Sequence, residues 1–474
     1  MTMMLLSEAA RAISAELRGA DRPFEAVGSD TRALTPGALF VALKGERFDG
    51  HDFLAQAAER KAAGALVQDS GSRIRGSELA LPLLVVRNTR LALGTLAAYW
   101  RSKFGMPLVA LTGSNGKTTV KEMLAAILRE AASAESRIPD PGSRVLATRG
   151  NLNNDIGVPL TLLELRPAHR YAVVEMGMNH AGEIRYLTRL AAPDVALVNN
   201  VGPAHIEFFG SLELVARAKG EIFEGLKPGG TAVINADDQE APLLRELAAG
   251  RDRIEFGLEH EAAVTAAYRL RFLESEIVLK TPLGEAATVL KAPGVHNVRN
   301  ALAASAAAVA LKVPAATIAA GLARFSGVRG RLQAKPGVNG ATLIDDTYNA
   351  NPESVRAAIE VLARAPGEKL LVLGDMGELG ADARELHAEI GRAARSLGVD
   401  RLYTLGELSA HAAGAFGAGA RHFARLEELL AEVEKRLAPG VTALIKGSRF
   451  MQMERVVQSF EFKVPGSEQE SRHA

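Results

Sequence analysis

The segment Leu111-Thr112-Gly113-Ser114-Asn115-Gly116-Lys117-Thr118-Thr119 joins an apolar run, Leu108-Val109-Ala110-Leu111, to a helical pattern from Val120 to Glu130. Glycines at 113 and 116 let backbone N–H groups approach a polyphosphate, and the helix start adds its positive dipole end. Lys117 supplies charge, and the Thr118 hydroxyl can reach Mg²⁺. The spacing is shorter than the usual phosphate loop, because Leu111 rather than glycine stands five residues before Gly116. A structural glycine turn is the plainer reading of the same residues.

Two more reactive groups end neighbouring apolar runs: Glu175 in Val173-Val174-Glu175-Met176-Gly177 and His205 in Val201-Gly202-Pro203-Ala204-His205. In a doubly wound sheet the carboxyl ends of strands gather at one edge, where ligands bind, so both can face phosphates and a metal. Taken singly, His205 reads as a surface or capping histidine and Glu175 as a solvated turn residue. Lys219, in Ala216-Arg217-Ala218-Lys219-Gly220, reads by composition as a solvated helix lysine. Asn297 and Asn300 open another helix on one face, as amides for the edge of a base or as caps. Arg329, Arg331 and the stretch Ile344-Asp345-Asp346-Thr347-Tyr348-Asn349-Ala350-Asn351-Pro352 follow. The paired carboxylates suit a metal or sugar hydroxyls, or else a polar turn with Asn351 capping a helix. Lys446-Gly447-Ser448-Arg449 is a candidate anion contact.

The elements that must position these groups read as three α/β units. The first has an amphipathic helix within Met1–Ala20, strands at Gly37–Leu43 and Gly64–Val67, and a helix over Phe53–Ala63. Its last helix closes at Trp100, Arg101 and Lys103, and Gly105-Met106-Pro107 reads as a linker. The second opens at Leu108, with strands at Tyr171–Met176, Asp194–Asn199 and Thr231–Asn235 in the βαβ rhythm of a parallel sheet. It ends near Phe325-Ser326-Gly327. The third has strands at Thr342–Asp345, Lys369–Leu373, Arg401–Leu405 and Thr442–Ile445. Its helices read as Glu353–Ala363, Arg384–Ser396, Leu426–Arg436 and Met451–Ser459. The expected boundaries are 1–104, a small N-terminal α/β domain; 105–326, a phosphate-loop domain with a parallel sheet; and 327–474, a Rossmann-like domain.

Composition narrows the function classes. The chain has 474 residues, 47% hydrophobic and 23% charged, and a formal net charge of +1. That length is several times a typical single domain. Balanced charge gives no global field for nucleic acid or an anionic membrane, and the 5% aromatic content offers little stacking surface. Cysteine is absent, which rules out disulfides, thiolate metal sites and sulfur nucleophiles. Ala301–Leu311 is far shorter than the ~20 residues of a membrane span, and charges interrupt the N-terminal pattern, so a cytoplasmic protein is expected.

Taken together these residues resemble the Mur ligase family, ATP-dependent amide-forming enzymes of peptidoglycan synthesis, over essentially the whole chain. Thr112–Thr119 looks like that family's shortened phosphate loop. Asn151-Leu152-Asn153-Asn154-Asp155-Ile156-Gly157-Val158-Pro159-Leu160-Thr161 resembles the subgroup that adds D-alanyl-D-alanine to UDP-N-acetylmuramoyl-tripeptide. Thr31-Arg32-Ala33-Leu34-Thr35-Pro36-Gly37, Lys44–His51, Asp346–Pro352 and Lys446–Arg449 also match. The Asp-Asn-Pro-Arg signature of the diaminopimelate-adding relatives is replaced by Asn349-Ala350-Asn351-Pro352-Glu353.

The resemblance implies an ATP-binding set of Gly113, Ser114, Asn115, Gly116, Lys117, Thr118, Thr119, Asn297, Asn300, Arg331 and Asp346. It implies Mg²⁺ held by Thr118, Glu175, His205 and, if carbamylated, Lys219; Lys117, Glu175, His205 and Lys219 are the expected catalytic residues. Thr31, Arg32, Lys44, Phe48, Asn151, Asn154, Tyr348, Asn349 and Lys446 are the implied substrate contacts. The implied reactants are UDP-N-acetylmuramoyl-tripeptide and D-alanyl-D-alanine, handled by a monomer. The alternatives are a related Mur ligase adding another amino acid, a folylpolyglutamate-type ligase, or a nucleotide-hydrolysing switch.

Overall fold

The computed structural model describes residues 2–46, 48–69, 81–134, 144–202 and 209–462. The chain divides into two compact units: Met1–Gly113, Leu128–Val198 and Ala216–Ile254 form the first, and Ser114–Ile127, Asn199–Val215 and Glu255–Ala474 the second.

In the first unit a five-stranded sheet runs Glu16–Arg18, Leu83–Val86, Gly64–Gln68, Ala38–Val41 and Ala26–Gly28 in spatial order. Four strands are parallel and Glu16–Arg18 is an antiparallel edge. The amphipathic helix expected over the first twenty residues spans Leu6–Ile13. Ser14 takes a left-handed conformation with φ 52°, and Ala15 N–H bonds back to Ala10 O, which closes the helix and frees Glu16–Arg18 to pair as a strand. The helix expected over Phe53–Ala63 is shortened to Leu54–Glu59 and entered through a 3₁₀ turn at Gly50–Phe53.

The helix Thr89–Ser102 closes at Trp100, Arg101 and Lys103 as the sequence predicts. Its buried Arg101 guanidinium donates to the carbonyls of Ala191, Phe104 and Met106. A six-stranded sheet follows, ordered Asp252–Phe256, Thr231–Asn235, Val195–Val198, Leu108–Thr112, Tyr171–Glu175 and Val145–Ala147. The five strands from Thr231 to Ala147 in that order pair in parallel. Val109, Ala110, Leu111, Val173, Val174 and Leu197 have no exposed surface, the signature of a sheet covered on both faces. Register sets Glu175 beside Leu111 and Val198 beside Thr112, so the carboxyl end of the phosphate-loop strand is flanked by both neighbours.

The second unit contains an antiparallel meander the sequence reading did not anticipate: Thr265–Leu270, Ser275–Thr281 and Gly284–Leu290. Burial alternates along Ser275–Thr281, so a single face is apolar. The helix Val295–Ala310 is buried along most of its length, which accounts for its alanine-rich, uncharged stretch. Among the described residues no helix is long and apolar enough to cross a membrane. A second six-stranded sheet runs Gln333–Pro336, Thr342–Asp346, Val441–Lys446, Glu368–Gly374, Arg401–Leu405 and Ala420–Phe423. Gln333–Pro336 is antiparallel and the others are parallel. All four expected strands are present; the two short, polar edge strands were missed. The fold class is the predicted one, with three parallel-rich α/β sheets in succession.

Candidate functional site

The phosphate loop forms at the start of the helix Lys117–Ala134, whose first N–H groups have no carbonyl one turn earlier to pair with. Gly116 has φ +78°, and a Cβ there would stand 2.3 Å from Asn300 Oδ1 and 2.8 Å from Asn199 Nδ2. Both facts require glycine. Ser114 brackets Gly202, its hydroxyl donating to the carbonyl at 3.1 Å and accepting the N–H at 2.8 Å. Lys117 Nζ donates to Ser114 O at 3.3 Å. The Thr118 hydroxyl accepts from Arg331 Nη2 at 3.2 Å. Thr119 is buried.

Several loop partners were not legible in the motif. Asn115 N–H donates to Asn200 Oδ1 at 2.8 Å, and Asn115 O accepts from Asn199 Nδ2 at 2.9 Å and Asn200 Nδ2 at 3.0 Å. The Asn115 amide donates to Glu353 Oε2 and accepts from Asn351 Nδ2, both at 3.0 Å. Asn351 meanwhile caps the helix Pro352–Leu362 in a capping box with Ser354, as the sequence suggests.

Asn297 and Asn300 share a helix face and are linked, Asn300 Nδ2 donating to Asn297 Oδ1 at 3.2 Å. Both are buried, and Asn300 Oδ1 accepts from Asn199 at 3.0 Å while Asn297 Nδ2 donates to Pro293 O at 2.8 Å. Neither caps the helix, whose N-cap is Gly294. Asp346 and Lys446 form a buried pair at 2.6 Å, and Lys446 also donates to Asn349 O at 2.9 Å. Burial pushes the Asp346 carboxyl above its usual range, against the pull of Lys446 and Arg331. Asp345 pairs instead with Lys335, because consecutive strand residues face opposite ways, so the two carboxylates do not converge on one metal. Tyr348 lies under Arg331, with the guanidinium carbon 4.3 Å from the ring centre.

In the first unit Glu175 is 2% exposed, which overturns its plainer reading as a solvated turn residue. Its Oε1 accepts from Asn153 Nδ2 at 2.9 Å and its N–H donates to Thr148 Oγ1 at 2.9 Å, while Oε2 is buried with no partner among the described residues. The asparagine that reaches Glu175 is therefore the one between the expected contacts. Asn151 is exposed, and Asn154 Oδ1 accepts the N–H of Gly157 at 2.8 Å where the next helix begins. Lys219 is also 2% exposed, so the composition reading of a solvated lysine is corrected. Its neighbour Gly220 is closely packed, since a Cβ there would stand 2.4 Å from Leu247 Cδ1. His205 lies outside the described residues. Among the described residues no group of three or more His, Cys, Asp or Glu converges as a metal cluster.

The expected sugar-nucleotide contacts also lie in the first unit. Buried Thr31 donates its hydroxyl to Gln56, Arg32 forks onto Asp30, and Lys44 forms a backbone bridge with Asp49. Phe48 is 72% exposed. Asp49 is held below the usual carboxylate range by its bond to His51, whose Nε2 accepts the Gln68 N–H at 2.9 Å.

Three family models match in succession: the Mur ligase family catalytic domain over residues 23–101, the Mur ligase middle domain over 111–308, and the Mur ligase glutamate ligase domain over 330–449. The chain belongs to the Mur ligase family. Among its relatives is the UDP-N-acetylmuramoyl-tripeptide–D-alanyl-D-alanine ligase of Escherichia coli K12, 44% identical over 97% of this chain and 99% of the relative. The crystal structure of MurF from Acinetobacter baumannii is 36% identical and superposes with a TM-score of 0.87, covering 97% of this chain and 99% of the other. MurF ligase from Thermotoga maritima, solved in complex with ADP, is 28% identical with a TM-score of 0.79, covering 92% and 96%.

Proposed function

We propose that this chain is an ATP-dependent ligase that joins D-alanyl-D-alanine to UDP-N-acetylmuramoyl-tripeptide, releasing ADP and phosphate. The observation that carries this reading is the end-to-end similarity to the E. coli ligase of that name, at 44% identity. The ADP in the T. maritima relative supports a nucleotide on the loop Gly113–Thr119. On this reading residues 1–104 hold the UDP-sugar, 105–326 the ATP, and 327–474 complete the ligase, and the protein works in the cytoplasm.

Amide formation in water is uphill, so the tripeptide carboxylate must first be activated. Its oxygen attacks the γ-phosphorus, ADP leaves, and an acyl phosphate forms. The dipeptide amine then attacks the acyl carbon, the tetrahedral intermediate expels phosphate, and the nitrogen loses a proton. Lys117 and the N–H groups of the helix start oppose the charge that collects on the phosphate oxygens. Glu175 suits a cation, because one buried carboxylate oxygen is fixed by Asn153 and the other has no partner among the described residues. Thr118, Glu175, His205 and a carbamylated Lys219 would hold Mg²⁺, which when bound neutralises polyphosphate charge. Asn297, Asn300, Arg331 and Asp346 are the proposed nucleoside and phosphate contacts, with Thr31, Arg32, Lys44, Phe48, Asn151, Asn154, Tyr348, Asn349 and Lys446 toward the other substrates.

ADP release by the purified protein, measured with UDP-N-acetylmuramoyl-tripeptide and a panel of amines, tests the reading. D-alanyl-D-alanine should be strongly preferred over L-lysine, diaminopimelate or glutamate. Equal rates with a single amino acid would assign the chain to a neighbouring ligase, and ADP release without the UDP-sugar peptide would make it a nucleotide-hydrolysing switch.

A further inference from the structure

We infer that Asn199 and Asn200 are positioning residues that hold the phosphate loop in its nucleotide-accepting shape before nucleotide arrives. The inference rests on the reading of Gly113–Thr119 as the loop that binds ATP.

Both residues follow the strand Val195–Val198, and between them they fix one peptide group of the loop. The Asn115 carbonyl accepts from both side-chain amides, at 2.9 and 3.0 Å. The peptide joining Asn115 to Gly116 is planar, and the chain has no cis bonds among its described residues, so the Gly116 N–H must point opposite to that carbonyl. Pinning the oxygen therefore aims the N–H. Left unpinned, the same peptide could turn its carbonyl toward the polyphosphate, where the oxygen's partial negative charge opposes binding.

The neighbouring peptide is held by the same pair. Asn115 N–H donates to Asn200 Oδ1 at 2.8 Å, and Ser114 N–H to Asn200 O at 3.0 Å. Asn199 is itself anchored, because the Nδ2 that reaches Asn115 O also donates to Asn300 Oδ1 at 3.0 Å. That anchor fits because Gly116 has no side chain, since a Cβ would stand 2.3 Å from Asn300 Oδ1. The pair therefore acts on the direction of loop N–H groups, a matter of nucleotide affinity rather than of bond making.

The test uses the full-length protein and MgADP, with UDP-N-acetylmuramoyl-tripeptide as the control ligand. Half-exposed Asn200 is the primary site. Asn200→Ala removes both side-chain bonds, and the isosteric Asn200→Asp keeps an acceptor but places a carboxylate oxygen against the Asn115 carbonyl. Asn199→Ala is the companion variant. The expected result is a rise of about tenfold or more in the MgADP dissociation constant and in KM for ATP. At saturating ATP, kcat should stay within about threefold, and the control ligand's affinity should hold. Unchanged MgADP affinity in folded Asn200→Ala and Asn200→Asp overturns the inference, as does an equal loss of affinity for both ligands. If the unaltered protein itself does not bind MgADP, the nucleotide reading of the loop fails, an outcome distinct from either.

Discussion

Arg331 donates Nη2 to the hydroxyl of Thr118 at 3.2 Å while its guanidinium carbon stands 4.3 Å over the ring of Tyr348. This arginine engages the hydroxyl proposed for the metal, and its buried Nε has no partner among the described residues. Arg331→Lys keeps a positive charge but loses the planar fork and the stacking. KM for ATP in an ADP-release assay should rise about tenfold, an effect of the size expected for one lost charge-assisted hydrogen bond. An unaltered KM would remove Arg331 from the nucleotide site.

Gly116→Ala should abolish ADP formation while UDP-sugar peptide binding persists. The left-handed backbone costs a residue with a side chain about 1–2 kcal/mol, and the new methyl collides with Asn300. Lys117→Ala should show the same separation without backbone strain. Titration of each variant with the UDP-sugar peptide, beside an ADP-release assay, checks both; near-normal turnover in Lys117→Ala would dismiss the loop assignment.

Lys219 is buried on the helix Leu212–Gly220. The resemblance puts a carbamate at this position, formed when the lysine amine attacks CO₂ and loses a proton, which turns the side chain into a carboxylate suited to a cation. Lys219→Ala should lose most activity and recover part of it with acetate or formate, which can occupy the vacated carboxylate position. Lys219→Arg should not recover comparably, because its guanidinium fills the space with positive charge. Full activity in the alanine variant would exclude the carbamate as essential.

Burial, with Lys446 and Arg299 nearby, lowers the His296 imidazole from 6.5 to about 4. The folded protein therefore keeps it neutral, whereas the unfolded chain protonates it near pH 6.5. Stability from this group is complete above pH 6.5 and falls as pH drops toward 4, by an upper limit of about 3 kcal/mol. His296→Gln should flatten the decline in Tm between those pH values. A decline as steep as that of the unaltered protein would refute the assignment.

The residues legible in the sequence were those whose meaning is local. The phosphate loop is contiguous, Glu175 ends an apolar run, and Asn351 before Pro352 announces a helix start. The burial of Lys219 was not legible, because a lysine between Ala218 and Gly220 has the local composition of a solvated helix face and only tertiary packing covers it. Nor were the loop's asparagine partners, since Asn115 meets Glu353 across 238 positions. Lys446 looked like a free anion contact, yet its ammonium is committed to Asp346, a hundred positions away. The meander was missed because its central strand has a single apolar face, and the intervening turn residues resemble a loop.

The asparagine that caps the helix Pro352–Leu362 also tethers Asn115, and it precedes a proline. Spontaneous deamidation proceeds when the next residue's backbone nitrogen attacks the asparagine amide, and Pro352 has no N–H with which to do so. The tether is thereby shielded from the main route of chemical ageing. Asn339 is the opposite case, exposed in a turn at φ 55° and followed by Gly340. In stored protein, new negative charge should accumulate at Asn339 while the Asn351 link to the phosphate loop keeps its amide.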